Sequence, residues 1–170
     1  MKDATLKPVL EAVKTAIITE LRGFEIYRAA VDRCTDPSAK LIFQSLADDE
    51  QAHKDFLEKN YRSLLAQGEW SVPATPENLN PLDHTDIITP DFLRRVKGGA
   101  FEMAVIAAGV ELERSAIEYY RSQARECPDE TGRKTFEFLA HWEKGHLESL
   151  QELERQMRDQ YFSDMGFSPL

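Results

Sequence analysis

Residues 18–34, ITELRGFEIYRAAVDRC, and residues 43–57, FQSLADDEQAHKDFL, have close copies further along the chain. The copies are GVELERSAIEYYRSQAREC at 109–127 and FEFLAHWEKGHLESL at 136–150. In each, a Glu stands seven residues before a Tyr, and an E-x-x-H follows downstream. Glu20, Tyr27, Glu50 and His53 recur as Glu113, Tyr120, Glu143 and His146, all at an offset of 93 residues. Aligned without gaps, Val13–Asn60 and Ile106–Leu153 agree at 12 of 48 positions, which marks an internal repeat.

Each copy reads as a helical hairpin. Val13, Ile17, Glu20, Phe24, Tyr27 and Val31 step by 4, 3, 4, 3, 4 and share one helical face. Ile106, Val110, Glu113, Ile117, Tyr120 and Ala124 repeat that stepping. Phe43, Leu46, Glu50, His53 and Leu57 form the stripe of the second helix. Phe136, Leu139, Glu143, His146 and Leu150 form that of the fourth. The expected helices run from about Ala4 to Cys34, Ser38 to Gln67, Ala100 to Glu126 and Glu130 to Tyr161, with a loose tail from Phe162. Between the hairpins, residues 68–99 hold Pro73, Pro76, Pro81 and Pro90 and read as a long connection. A short helix from Pro90 to Lys97 is expected inside it. A crossover along the length of a four-helix bundle accounts for a link of that size. The expectation is therefore an all-α chain with one domain over residues 1–170. Hairpin 1 covers about 4–67, the crossover 68–99 and hairpin 2 about 100–161.

Composition narrows the function. The net charge is −9, the pI is about 5.0, and no basic stripe of the kind nucleic acid requires is present. No apolar run approaches membrane-spanning length and no secretory leader opens the chain, so the expected location is cytoplasmic, with neither membrane nor nucleic acid as partner. Two cysteines, Cys34 and Cys127, make no disulfide framework and no C-x-x-C. In an up-down bundle with a crossover, these two repeat mates lie at opposite ends and cannot pair.

The chemistry lies in the charges on the apolar stripes. Glu20 and Glu113 are the only charged residues on theirs, and each E-x-x-H sits on a core face whose stripe no Lys or Arg shares. A buried carboxylate must be paired or coordinated. Four Glu and two His, one Glu or one E-x-x-H from each of four helices, make the ligand set of a two-metal carboxylate bundle. The candidate metal ligands are Glu20, Glu50, His53, Glu113, Glu143 and His146. Four carboxylates balance two divalent ions. Oxygen-rich donors with one imidazole per metal suit iron or manganese, with zinc as a further option. Buried Glu satisfied by Tyr and water is the competing reading.

With that pattern assembled, the chain resembles the ferritin-like superfamily over about residues 5–160, and within it the di-iron domain of rubrerythrins. The resemblance implies a ferritin-like four-helix bundle holding two iron ions. It makes Glu50 and Glu143 bridging or terminal carboxylates, Glu20 and Glu113 their partners, and His53 and His146 the one imidazole per iron. Which carboxylate bridges stays open. Tyr27 and Tyr120 would hydrogen-bond to ligand carboxylates. The implied activity is reduction of peroxide or dioxygen by an oxidoreductase. A ferroxidase or iron storage or delivery protein of ferritin type is the alternative, and a helical interaction protein with remnant Glu and His a third. A homodimer and a separate electron-donor protein are the implied partners.

The chain departs from the rubrerythrin pattern in two ways. The turn after Glu113 carries Ser115 and Ala116 where rubrerythrins have a further Glu, and Glu118, like its mate Glu25, should face elsewhere. With no C-x-x-C in the sequence, a rubredoxin module is not expected within it. His84 and His141 lie outside the ligand pattern, and Asp48, Asp49 and Trp142 are expected at the surface or between subunits. Two halves each supplying two Glu and one His predict nearly equivalent surroundings for the two metals.

Overall fold

The computed structural model describes residues 3–71 and 99–164. Those residues form four helices: α1 (Asp3–Arg33), α2 (Pro37–Gln67), α3 (Ala100–Glu126) and α4 (Glu130–Asp164). No strand occurs among them. The all-α expectation holds, and the helices pack as a four-helix bundle of ferritin-like form.

Repeat mates close the two hairpins in the same way. Asp36 caps α2, its Oδ1 accepting from the backbone N–H of Ser38 (2.8 Å) and Ala39 (2.9 Å). Its mate Asp129 accepts from the N–H of Gly132 at 3.0 Å as α4 begins. Pro37 fills the first turn of α2, where its missing N–H costs nothing. Gly68 ends α2 in the left-handed region (φ 70°), which a side chain would resist. Trp70 then stands edge-on to Phe136 of α4, ring centroids 6.0 Å apart.

Packing is heaviest within each hairpin, α1 on α2 and α3 on α4, and lighter between α1 and α3. The core divides into two apolar clusters. One contains Tyr27, Val31, Phe43, Leu46, Ile106 and Leu153. The other contains Val13, Leu57, Leu64, Tyr120, Phe136 and Leu139. Each fully buried Leu, Ile or Phe contributes roughly 1.5–3 kcal/mol. Every helix passes from one cluster to the other, and Glu20, Glu50, Glu113 and Glu143 lie between them along their helices. Helices α2 and α3 traverse the clusters in the same order, and α1 and α3 in opposite orders. That arrangement is what a crossover between α2 and α3 demands. The bulk of the crossover, the short helix expected from Pro90 to Lys97, and His84 lie outside the described residues.

The tail departs from expectation. Helix α4 continues through Phe162 to Asp164 instead of stopping at Tyr161. Nothing in the stretch RDQYFSD ends a helix, since the next Gly and Pro are Gly166 and Pro169.

Candidate metal centre

The six stripe residues converge. Glu20, Glu50, His53, Glu113, Glu143 and His146 are all 2% exposed or less, so none can be a surface ion pair. Their donor atoms fall into two sets, with all atoms of a set within 4.8 Å of one another. One set is Glu20, Glu50, His53 and Glu143; the other is Glu50, Glu113, Glu143 and His146. Glu50 and Glu143 belong to both. Spacing along the helices does not show this overlap between the sets. The E-x-x-H glutamates are central and Glu20 and Glu113 flank them.

Both imidazoles turn Nδ1 toward the carboxylates. His53 Nδ1 is 3.0 Å from Glu20 Oε2 and 3.1 Å from Glu143 Oε1. His146 Nδ1 is 2.9 Å from Glu143 Oε2, 3.5 Å from Glu50 Oε1 and 3.9 Å from Glu113 Oε1. The two rings are stacked with centroids 5.7 Å apart. Tyr27 donates its hydroxyl to Glu113 Oε1, and Tyr120 donates to Glu20 Oε1. Each Tyr thus holds the flanking Glu of the other hairpin. Glycine makes room at the centre: a Cβ on Gly23 would lie 2.7 Å from the Glu50 carboxyl carbon.

The electrostatics are those of crowded, desolvated anions. Burial, then the neighbouring carboxylates, push Glu50 and Glu113 well above the ordinary carboxylate range. Burial acts the same way on Glu143, but the facing His53 and His146 overcome it and hold that carboxyl low. Burial would lower the His53 imidazole, yet Glu143 and Glu20 lift it to about 9, and the same balance raises His146. The facing imidazoles offset part of the crowding at Glu143. Even so, both Glu143 oxygens are buried without a well-aligned hydrogen bond. Four carboxylates, two inward imidazoles and an unsatisfied central Glu fit a pair of hard or borderline divalent cations.

Three expectations about neighbours need correcting. Asp49 and Trp142 are not surface residues; they are 6% and 2% exposed. Each precedes the Glu of an E-x-x-H, and the packing of four helices buries a wider arc than one stripe. The offset of 93 residues makes them repeat mates, but Asp and Trp share no property that signals burial. Asp48 is exposed as expected. The surroundings of the two imidazoles are also unequal. His146 Nε2 meets Asp49 Oδ2 at 3.2 Å, whereas the Trp142 ring stands edge-on to His53 at 4.7 Å.

Other readings hold. Glu25, Glu118 and His141 are exposed, and Ala116 is buried. Cys34 and Cys127 are both free thiols, one in each apolar cluster. An open groove of about 380 Å³ on the outer side of α3 and α4 is lined by Arg121, Arg125, Arg133, His141 and Lys144. It holds none of the six converging residues.

Residues 11–154, most of the chain, match the Rubrerythrin family. The chain belongs to the rubrerythrin family. No curated protein and no solved structure matches it. Rubrerythrin domains are ferritin-like di-iron domains, and the buried Glu and His of this member fit that chemistry. No described helix is long and apolar enough to cross a membrane.

Proposed function

We propose that this rubrerythrin-family chain binds two iron ions through Glu20, Glu50, His53, Glu113, Glu143 and His146 and reduces peroxide. The observation that carries the reading is the pair of donor sets sharing Glu50 and Glu143 in a fully buried site. Four carboxylate charges match two divalent cations, so a loaded centre stays near neutral in a low-dielectric core. When bound, an iron pair supplies the two electrons that, with two protons, convert hydrogen peroxide to two molecules of water.

The chain's own residues set the conditions. Glu50 and Glu143 belong to both donor sets and so join them. Tyr27 and Tyr120 orient Glu113 and Glu20 and keep a phenolic proton beside each. The apolar clusters on either side keep bulk water from the carboxylates. Electrons would come from outside these residues, which hold no C-x-x-C. Free thiols suit a reducing compartment, and a cytoplasmic location is part of the proposal.

The test is peroxide consumption by reduced, iron-loaded protein under anaerobic conditions, against Glu50→Ala. Turnover in the native chain alone supports the reading. Oxidation and release of Fe(II) without peroxide turnover would replace it with a ferroxidase role. No bound metal at all would overturn both.

A further inference from the structure

We infer that the two metal positions are unequal and that Asp49 makes the His146 position the tighter one. This rests on the metal-pair reading above. His146 is gripped from both sides: its Nδ1 faces Glu143 at 2.9 Å, and its Nε2 lies 3.2 Å from Asp49 Oδ2. Asp49 is buried, so this contact is shielded from water and strengthened by the low dielectric. A carboxylate behind an imidazole holds the proton on Nε2. It thereby leaves the Nδ1 lone pair free for a metal, fixes the ring, and raises its basicity.

The equivalent support is missing in the other half. His53 also turns Nδ1 inward, toward Glu20 and Glu143. Its Nε2 is buried with no hydrogen-bond partner among the described residues. The position that should supply one, 93 residues after Asp49, is Trp142, whose ring stands edge-on at 4.7 Å. An indole N–H donates and cannot accept the imidazole proton. The repeat that made the ligands symmetric has therefore left the groups behind them different. Asp49 is a positioning residue acting through His146. It is carried on α2 while His146 is on α4, so it also ties the two hairpins together at one metal position only.

The test follows the four imidazoles by nitrogen-resolved NMR while metal-free protein is titrated with Zn(II), a diamagnetic probe. The first equivalent should move the His146 ring and the second the His53 ring, with exposed His141 as internal control. Asp49→Asn, which keeps the shape, should weaken the His146 position about 10- to 100-fold and abolish or reverse that order. Asp48→Asn should change nothing. Parallel movement of both rings, His53 moving first, or an unchanged order in Asp49→Asn would overturn the inference while leaving the metal pair standing. No response of either ring would overturn the metal-pair reading itself, and the inference with it.

Discussion

Tyr120, on α3, donates its hydroxyl to the Glu20 carboxylate of α1, 100 residues away in the chain. Tyr27 returns the arrangement by donating to Glu113. The two hairpins are thus latched to each other through the flanking carboxylates of the site. Tyr120→Phe should weaken metal binding on the Glu20–His53 side, and Tyr27→Phe on the Glu113–His146 side, each about 10- to 100-fold. Each variant also leaves a buried acceptor unsatisfied, at about 1–3 kcal/mol in the metal-free protein. Stepwise metal titration and thermal melting check both parts.

Shared and unshared carboxylates should behave differently. Glu143 serves both donor sets and Glu20 only one. Glu143→Gln should empty both positions, while Glu20→Gln should leave about one metal per chain. Elemental analysis after anaerobic loading distinguishes them. Equal losses in the two variants would contradict the assignment of Glu143 as shared.

Gly23→Ala separates folding from function. The added Cβ meets the end of the Glu50 side chain, a part that can swing away, and not backbone. Ala also improves on Gly in a helix by up to about 1 kcal/mol. The metal-free protein should therefore melt no lower than the native chain. Metal affinity should fall at least about tenfold at both positions, because Glu50 is shared and a displaced ligand is a poor one.

Metal loading should stabilise the fold. The cluster of buried carboxylates is unfavourable by itself, and a cation bound only by the native state shifts the balance. At free metal about 100 times Kd the gain is about 2.7 kcal/mol, or roughly 5–10 °C in a chain of this size. Melting with Fe(II) or Zn(II), then after chelation, measures it. An unchanged Tm at saturating metal would count against binding in the core.

The thiols should be unreactive. Burial, then the contact with Glu102 at 3.3 Å, pushes the Cys34 thiol up to about 11, and burial raises Cys127 as well. The thiolate of Cys34 is therefore scarce until the pH approaches that value. Alkylation of Cys34 at pH 8 should run about 100-fold slower than for an ordinary thiol and speed up about tenfold per pH unit. No Cys34–Cys127 bond should form on mild oxidation, and mass spectrometry of the labelled peptides reads both results.

The converging Glu and His residues and the fold class were legible because both are periodic. A Glu that falls on the step of a core stripe, and repeats 93 residues later, is visible without coordinates. Helix ends were legible where Asp36, Gly68 and Asp129 supply capping chemistry. Asp49 and Trp142 were not legible, because one-dimensional periodicity assigns a residue beside the stripe to the surface. Contacts between α2 and α4, Asp49 on His146 and Trp142 on His53, lie on that extra arc.

The sequence by itself determined that four Glu and two His face one core, since helical spacing dictates which side chains share a face. It also determined that the two halves are related. Tertiary structure alone decided which carboxylates are held in common, which Tyr serves which Glu, and what stands behind each imidazole. Those are contacts between helices, fixed by how far each helix slides and turns against its neighbours. That packing sets Asp49 behind His146 and Trp142 beside His53, so one Asp-to-Trp difference between repeat mates makes the two halves unequal.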